Sequence, residues 1–218
     1  MNIMVTTATK HAHKKSVIAW DFDGVINQSK IDGKIVWAKD FEKDTNLSLD
    51  IFEQYIFGED FKNVLRGDDT LQSRLDRWAS SVGYKGDIAA IVQYWFSRDT
   101  NLDQKILRCM HWLQKNRIEQ VIATNNEIQR AHYIAVMPQL GPFVANVFCS
   151  AQFGALKPEP EFFEGIQEEM KLLPENFVLI DDSDVNVFAA QKLGWQGIFY
   201  SAGTDIRFEI ESMLGLEG

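Results

Sequence analysis

The stretch Ala19-Trp20-Asp21-Phe22-Asp23-Gly24-Val25 sets two carboxylates two positions apart at the end of an apolar run. In an extended segment such residues point to the same side, so Asp21 and Asp23 can face one site. Gly24 then permits a tight turn or a close backbone approach. Two acids facing one site can attack an electrophile, move a proton or hold a cation. A strand end closed by acidic turn residues would have the same sequence.

Three further stretches carry groups that could join them. Asp181-Asp182-Ser183 adds two adjacent acids after another apolar run. Several carboxylates in one crevice repel, and their pKa values rise unless a cation is present. A divalent ion resolves that conflict, and oxygen ligation by few protein groups favours Mg²⁺. Thr124-Asn125-Asn126 supplies a hydroxyl followed by backbone amides at a strand-to-helix turn, a pattern suited to phosphate oxygens. Lys157 lies in Gly154-Ala155-Leu156-Lys157-Pro158-Glu159-Pro160, where Pro158 disfavours helix at the lysine and two prolines stiffen the loop. Such a lysine could neutralise a nucleophile and a phosphate. Each stretch also has a plain structural reading, as helix caps or as a solvated lysine.

The elements that must position these groups are short apolar runs. They cover 16–22, 120–124, 145–149, 177–181 and 197–200. Continuous runs of this length suit strands buried on both faces of a parallel sheet. Helical spacing lies between them: Ile106, Met110 and Leu113, flanked by Cys109 and Trp112; Phe162, Ile166 and Met170; and Val185, Phe188, Ala189 and Leu193 before Gly194. Alternating strands and helices predict an α/β, Rossmann-like doubly wound sheet. In such a sheet ligands bind beyond the carboxyl ends of the strands, where three of the four stretches fall.

Residues 27–103 break the alternation. Leu71, Leu75, Trp78 and Val82 recur at helical spacing, as do Ile88, Ile91, Val92 and Trp95, and no buried strand is evident. This reads as a small helical domain inserted into a core made of residues 1–26 and 104–218. Its aromatics, among them Phe52, Tyr55, Phe57, Tyr94 and Phe96, read as the core of a helical bundle, with a minority free to line a pocket.

Composition narrows the function classes. The 22 basic and 31 acidic residues give a formal charge of -9, which argues against binding to nucleic acid polymers or an anionic membrane surface. Neither Cys109 nor Cys149 belongs to a C-x-x-C motif, so both read as reduced and buried. No apolar run approaches a membrane span, and the N-terminal basic stretch lacks a following apolar region; a cytoplasmic protein is expected. His11 and His13 could hold a metal, but no other ligand is near in sequence and a polar tail is the simpler reading.

The order D-x-D-G, Thr-Asn, Lys-Pro, Asp-Asp-Ser resembles the haloacid dehalogenase-like hydrolase superfamily, from Val17 to about Tyr200, and especially its phosphatase branch with a small helical cap. The resemblance implies that Asp21 is the nucleophile and forms an aspartyl-phosphate. Asp23 would be acid for the leaving alcohol and base for water. Thr124 and the backbone at Asn125 would hold phosphoryl oxygens, and Lys157 would steady Asp21 and the phosphate. Mg²⁺ would bind the Asp21 carboxylate, the Asp23 carbonyl and Asp182, with Asp181 behind them; a direct metal contact from Asn186 is not implied. The substrate would be a small phosphorylated metabolite, selected by the cap and by loops near Asn27 to Val36. A dehalogenase would lack the acid at Asp23. A phosphotransferase such as a sugar-phosphate mutase is compatible with the same residues. A non-catalytic binding protein of this fold would be expected to have lost some of the acids or the lysine. Oligomeric state is not legible.

Overall fold

The computed structural model describes residues 15–31, 34–35 and 37–216. His11, His13 and Val36 lie outside the described residues. The chain begins with strand β1 (Val17–Trp20), then a short hairpin of β2 (Lys30–Ile31) and β3 (Lys34–Ile35). Five helices follow: α1 (Phe41–Thr45), α2 (Leu49–Phe57), α3 (Phe61–Leu65), α4 (Leu71–Val82) and α5 (Ile88–Arg98). Next come α6 (Gln104–Lys115), β4 (Glu119–Thr124), α7 (Ile128–Ala135), β5 (Asn146–Cys149), α8 (Ser150–Phe153) and α9 (Pro160–Met170). The chain closes with β6 (Phe177–Asp181), α10 (Asp184–Lys192), β7 (Gln196–Phe199) and α11 (Ile206–Leu214).

The strands of the main sheet run β5-β4-β1-β6-β7, and every pair is parallel. Residues alternate between its faces, as a pleated strand requires. Ile18, Trp20, Ile122, Val178 and Ile180 join Ile106, Met110 and Leu113 of α6, Ile134 of α7 and Ile206 and Ile210 of α11. Val17, Ala19, Val121, Ala123, Phe177 and Leu179 join Phe162, Phe163 and Ile166 of α9 and Ala190 of α10. Both faces are covered, which is why the strand sequences read as continuous apolar runs rather than alternating ones. The fold is the doubly wound, Rossmann-like sheet that the alternation predicts. Cys109 and Cys149 are buried, unpaired thiols, and no described helix is long and apolar enough to cross a membrane.

Residues 37–98 build a third apolar cluster of their own, centred on Phe52, Ile56, Leu75, Trp78 and Phe96. Its helices start where the sequence offers caps: Ser48, Thr70 and Asp87 accept from Ile51, Ser73 and Ala89 amides. Aromatic edges fill its middle, with Phe52 meeting Trp78 at 5.2 Å and Phe41 at 5.0 Å. The β2–β3 hairpin adds strand structure to a segment expected to be helical. Two residues per strand are too few to leave a periodic trace in sequence.

One expected helix face is wrong. On α10, Val185 and Phe188 are each 58% exposed, while Asn186, Val187 and Ala190 are buried. Two contacts fix that rotation. The Asn186 amide donates to Asp181 Oδ1 at 3.0 Å. Val187 fills the space left by Gly197 on β7, where a Cβ would lie 2.8 Å from Val187 Cγ1. Val82, at the end of α4, is likewise 38% exposed instead of joining Leu71, Leu75 and Trp78.

Phe52 is fully buried among rings, so Phe52→Ala should cost about 3–5 kcal/mol of stability. Urea unfolding checks this, and a loss below about 1 kcal/mol would show that the cluster collapses around the void.

Candidate active site

Four segments meet at the carboxyl end of the sheet. The Asp21 amide donates to Ile180 O at 2.8 Å, which extends β1 against β6 by one residue. The chain then turns: Gly24 N–H donates to Asn27 O, and Asn27 N–H to Phe22 O. Gly24 has φ +94°, and a Cβ there would lie 2.1 Å from Asp182 Oδ2. The missing side chain is therefore the space into which Asp182 reaches.

Lys157 holds the centre. Its Nζ lies 2.9 Å from Asp21 Oδ1 and 2.6 Å from Asp181 Oδ2, and its side chain is almost fully buried. Burial alone would lower its pKa, but the charges on Asp21 and Asp181 outweigh that and hold it above the ordinary value. The Lys157–Pro158 peptide is cis. Asn125 fastens the lysine's backbone from both sides: Lys157 N–H donates to Asn125 Oδ1 at 2.8 Å, and Asn125 Nδ2 donates to Lys157 O at 2.9 Å.

Burial raises the pKa of Asp21 to about 7; Lys157 opposes this and Asp181 adds to it. Phe22 N–H also donates to Asp21 Oδ1. Asp181 is fully buried and fully engaged, taking Lys157 on Oδ2 and both Ser183 N–H and Asn186 Nδ2 on Oδ1. Asp182 is exposed, and partial desolvation followed by the charge on Asp181 raises its pKa. Carboxylate oxygens of Asp21, Asp181 and Asp182 all lie within 4.8 Å of one another. Such a set of hard oxygens, with one lysine among three acids, fits a divalent cation.

Asp23 accepts from two amides, Asn27 Nδ2 on Oδ1 and Asn126 Nδ2 on Oδ2, both at 3.0 Å. Asn126 also donates to Thr124 Oγ1 at 2.8 Å, and Thr124 is buried at the end of β4. Asp21, Asp23, Thr124, Asn125, Lys157, Asp181 and Asp182 are thus linked by contacts in one place. The side chain of Asn125 is spent on Lys157, so any contact it makes with an anion falls to its backbone.

Several residues at the site had no signal in sequence. Asn27 is fully buried, bonds Asp23, and also donates to Asp99 O at 3.2 Å, while its Oδ1 accepts Asn101 N–H at 2.8 Å. Arg130, on α7, reaches the end of α5: it donates to Phe96 O at 3.1 Å and to Asp99 O, and pairs with the Asp99 carboxylate at 3.4 Å. Burial raises the Asp99 pKa to about 6 against the pull of Arg130. Nothing local distinguishes these residues from ordinary loop and helix positions.

A cavity of about 250 Å³ opens beside Asp23 and is lined also by Trp37, Phe57, Phe61, Trp95 and Arg130. Phe57 and Trp95 are thus the expected aromatics that face a pocket, whereas Phe52 and Trp78 are core. A larger hollow of about 550 Å³, along Lys105, Arg108 and Arg207, touches none of the acids of the site.

The family model for haloacid dehalogenase-like hydrolases matches residues 15–194. A sesquiterpene phosphatase of Aspergillus oryzae is 24% identical over 176 residues, 79% of this chain and 88% of that protein. Among solved structures, a HAD family enzyme of Bacteroides thetaiotaomicron in complex with magnesium and inorganic phosphate superposes with a TM-score of 0.67. It is 20% identical, over 87% of this chain and 96% of that one. The L-2-haloacid dehalogenase of Xanthobacter autotrophicus gives a TM-score of 0.61 at 14% identity, over 94% and 84%. At these identities the two structures attest the fold. The family match covers most of the chain, and the protein belongs to the haloacid dehalogenase-like hydrolases.

Proposed function

We propose that the protein hydrolyses small phosphate monoesters with Mg²⁺, through a phosphoryl group carried on Asp21. The observation that carries this reading is the Asp21–Lys157–Asp181 cluster with a second acid, Asp23, beside it. A dehalogenase needs no proton carrier at that place, whereas an alcohol leaving group does. The Aspergillus relative is named as a phosphatase, and the magnesium and phosphate of the Bacteroides structure agree with the same chemistry.

The steps follow from the residues. An Asp21 carboxylate oxygen attacks phosphorus, the ester P–O bond breaks, and Asp23 gives its proton to the departing alcohol. Asp23 then takes a proton from water as that water attacks phosphorus. The bond from phosphorus to Asp21 breaks, and the free carboxylate and inorganic phosphate result. A carboxylate nucleophile divides the hydrolysis in two, and one proton carrier serves both halves in opposite senses. Thr124, the Asn125 backbone and Lys157 would hold the phosphoryl oxygens.

Mg²⁺ would be held by the Asp21 carboxylate, the Asp23 carbonyl and Asp182. Asp181 is a poorer ligand, because its oxygens already serve Lys157, Ser183 and Asn186. Bound there, the cation would relieve repulsion between carboxylates and phosphate and act as a Lewis acid. The helical segment 27–103 would act as a cap over the core of 1–26 and 104–218. A cytoplasmic setting suits the two free thiols.

Asp21→Asn should abolish turnover of an aryl phosphate with the far-UV spectrum unchanged; substantial residual turnover would remove Asp21 as nucleophile. Asp182→Ala should raise the Mg²⁺ concentration for half-maximal activity at least tenfold, and an unchanged value would transfer the ligand role to Asp181. No turnover of any monoester by the parent enzyme, at any pH, would favour a non-catalytic role.

Lys157→Met leaves Asp21 and Asp181 buried without their cation. At pH 8 in chelator this should cost about 3–5 kcal/mol of stability. Without Lys157 the raised pKa of Asp21 rises further from its ordinary 3.8. The folded variant then keeps a proton that the unfolded chain has released, so its stability falls as pH rises from about 4 through the raised value. The loss should therefore be smaller at pH 5.5 than at pH 8. Equal losses in urea melts at both would contradict the charge balance.

A further inference from the structure

The cavity beside Asp23 has two unlike sides. One side is apolar: Phe57, Phe61 and Leu65 stand half-buried at its wall, backed by Trp37 and Trp95. These rings brace one another, with Phe57 at 5.1 Å from both Phe61 and Trp95, and Trp37 at 5.6 Å from Trp95. The wall is therefore formed in advance and loses little freedom when a ligand arrives.

The other side is polar, but apart from the Ser29 hydroxyl most of its side chains are already engaged within the protein. Arg130 is spent on Phe96 and Asp99, and both Glu127 oxygens cap α7 through the Gln129 and Arg130 amides. The Asn125 side chain holds Lys157, and the Asn126 amide holds Asp23 and Thr124. Trp95 Nε1 and Asp99 Oδ1 have no hydrogen-bond partner, but both atoms are sealed beneath the cavity surface, so neither is presented to an incoming hydroxyl. A sugar or a nucleoside requires several free donors and acceptors, and a polar group buried without them is costly. An apolar group requires none.

Size bounds the group further. At roughly 30 Å³ for each water displaced, the cavity of about 250 Å³ holds about eight water volumes. That is room for one aromatic ring or a chain of about five to ten carbons.

We propose that the alcohol released from the phosphate ester is apolar, of about five to ten carbons, and sits against Phe57, Phe61 and Leu65. Asp23 lines this same cavity, so the proton carrier lies where the ester oxygen of such an alcohol would depart. This rests on the phosphatase reading for the chemistry, and on the cavity alone for the alcohol.

The test separates the two. Linear alkyl phosphonates from methyl to dodecyl, below their micelle concentrations, are titrated calorimetrically into the Mg²⁺-loaded protein, and alkyl phosphates of the same lengths are assayed for turnover. Affinity should rise about two- to fourfold per methylene up to about eight carbons and then level off. Glycerol phosphonate should bind at least tenfold more weakly than hexyl phosphonate. Phe61→Ser should lower the ratio of octyl to methyl affinity at least tenfold, and Leu65→Ser serves where that variant does not fold. Turnover with affinities that do not change with length would overturn the apolar cavity and leave the phosphatase. Rising affinities without turnover of any ester would keep the cavity assignment and overturn the phosphatase. An unaltered ratio in a folded Phe61→Ser or Leu65→Ser variant would also overturn the cavity assignment.

Discussion

The site depends on one buried ammonium. Lys157 lies between Asp21 and Asp181 with almost no exposure to water, at distances where each charge pays part of the other's desolvation. Those two acids end neighbouring strands, β1 and β6, while the lysine comes from the loop before α9. Asn125 ties that loop to the end of β4 by two hydrogen bonds between its side-chain amide and the Lys157 backbone. The sheet order, with β1 between β4 and β6, is what lets one ammonium meet both acids. One cation among three carboxylates still leaves an excess of negative charge. That excess is the physical reason a dianionic phosphate would need a metal ion beside it.

Much of this was legible in sequence because strand ends carry their chemistry as contiguous residues. A buried parallel strand is a continuous apolar run, and its last residues must be where a ligand binds. Asp21, Asp23, Thr124, Lys157 and the Asp181-Asp182 pair all sit at such ends or in the stiffened loop between them. Their roles within the pair of acids were less legible. Asp181 is surrounded by donors and Asp182 turns toward Gly24, a difference that depends on how α10 rolls. The spacing of Val185, Phe188 and Leu193 pointed to the wrong roll, because apolar periodicity ignores a polar anchor such as Asn186.

The remaining groups were hidden because they act across long separations. Arg130 joins α7 to the end of α5, passing 5.5 Å from the ring of Phe22 and 4.9 Å from that of Phe96. Its position in sequence resembles any arginine in the first turn of a helix. The aromatics between 37 and 96 were visible as a group, but not which of them faced inward. Packing divided them: Phe52 and Trp78 are closed in by other rings, whereas Phe57 and Phe61 keep part of their surface toward the cavity beside Asp23. A helical bundle next to a charged crevice thus presents a greasy wall to a polar floor.

The chain leaves the sheet at Asn27-Gln28 and returns at Asp99-Asn101, and these two crossings are laced together. Gln28 N–H donates to Asn101 O, Asn101 N–H donates to Asn27 Oδ1, and Asp103 N–H donates to Ile26 O. The Asn27 amide that joins this lacing through Asp99 O is also the one that bonds Asp23. Moving the helical segment relative to the sheet could therefore not leave Asp23 untouched: the lacing and that carboxylate share a single nitrogen. Any displacement large enough to break the Asn27–Asp99 bond would also disturb the hydrogen bond on Asp23 Oδ1.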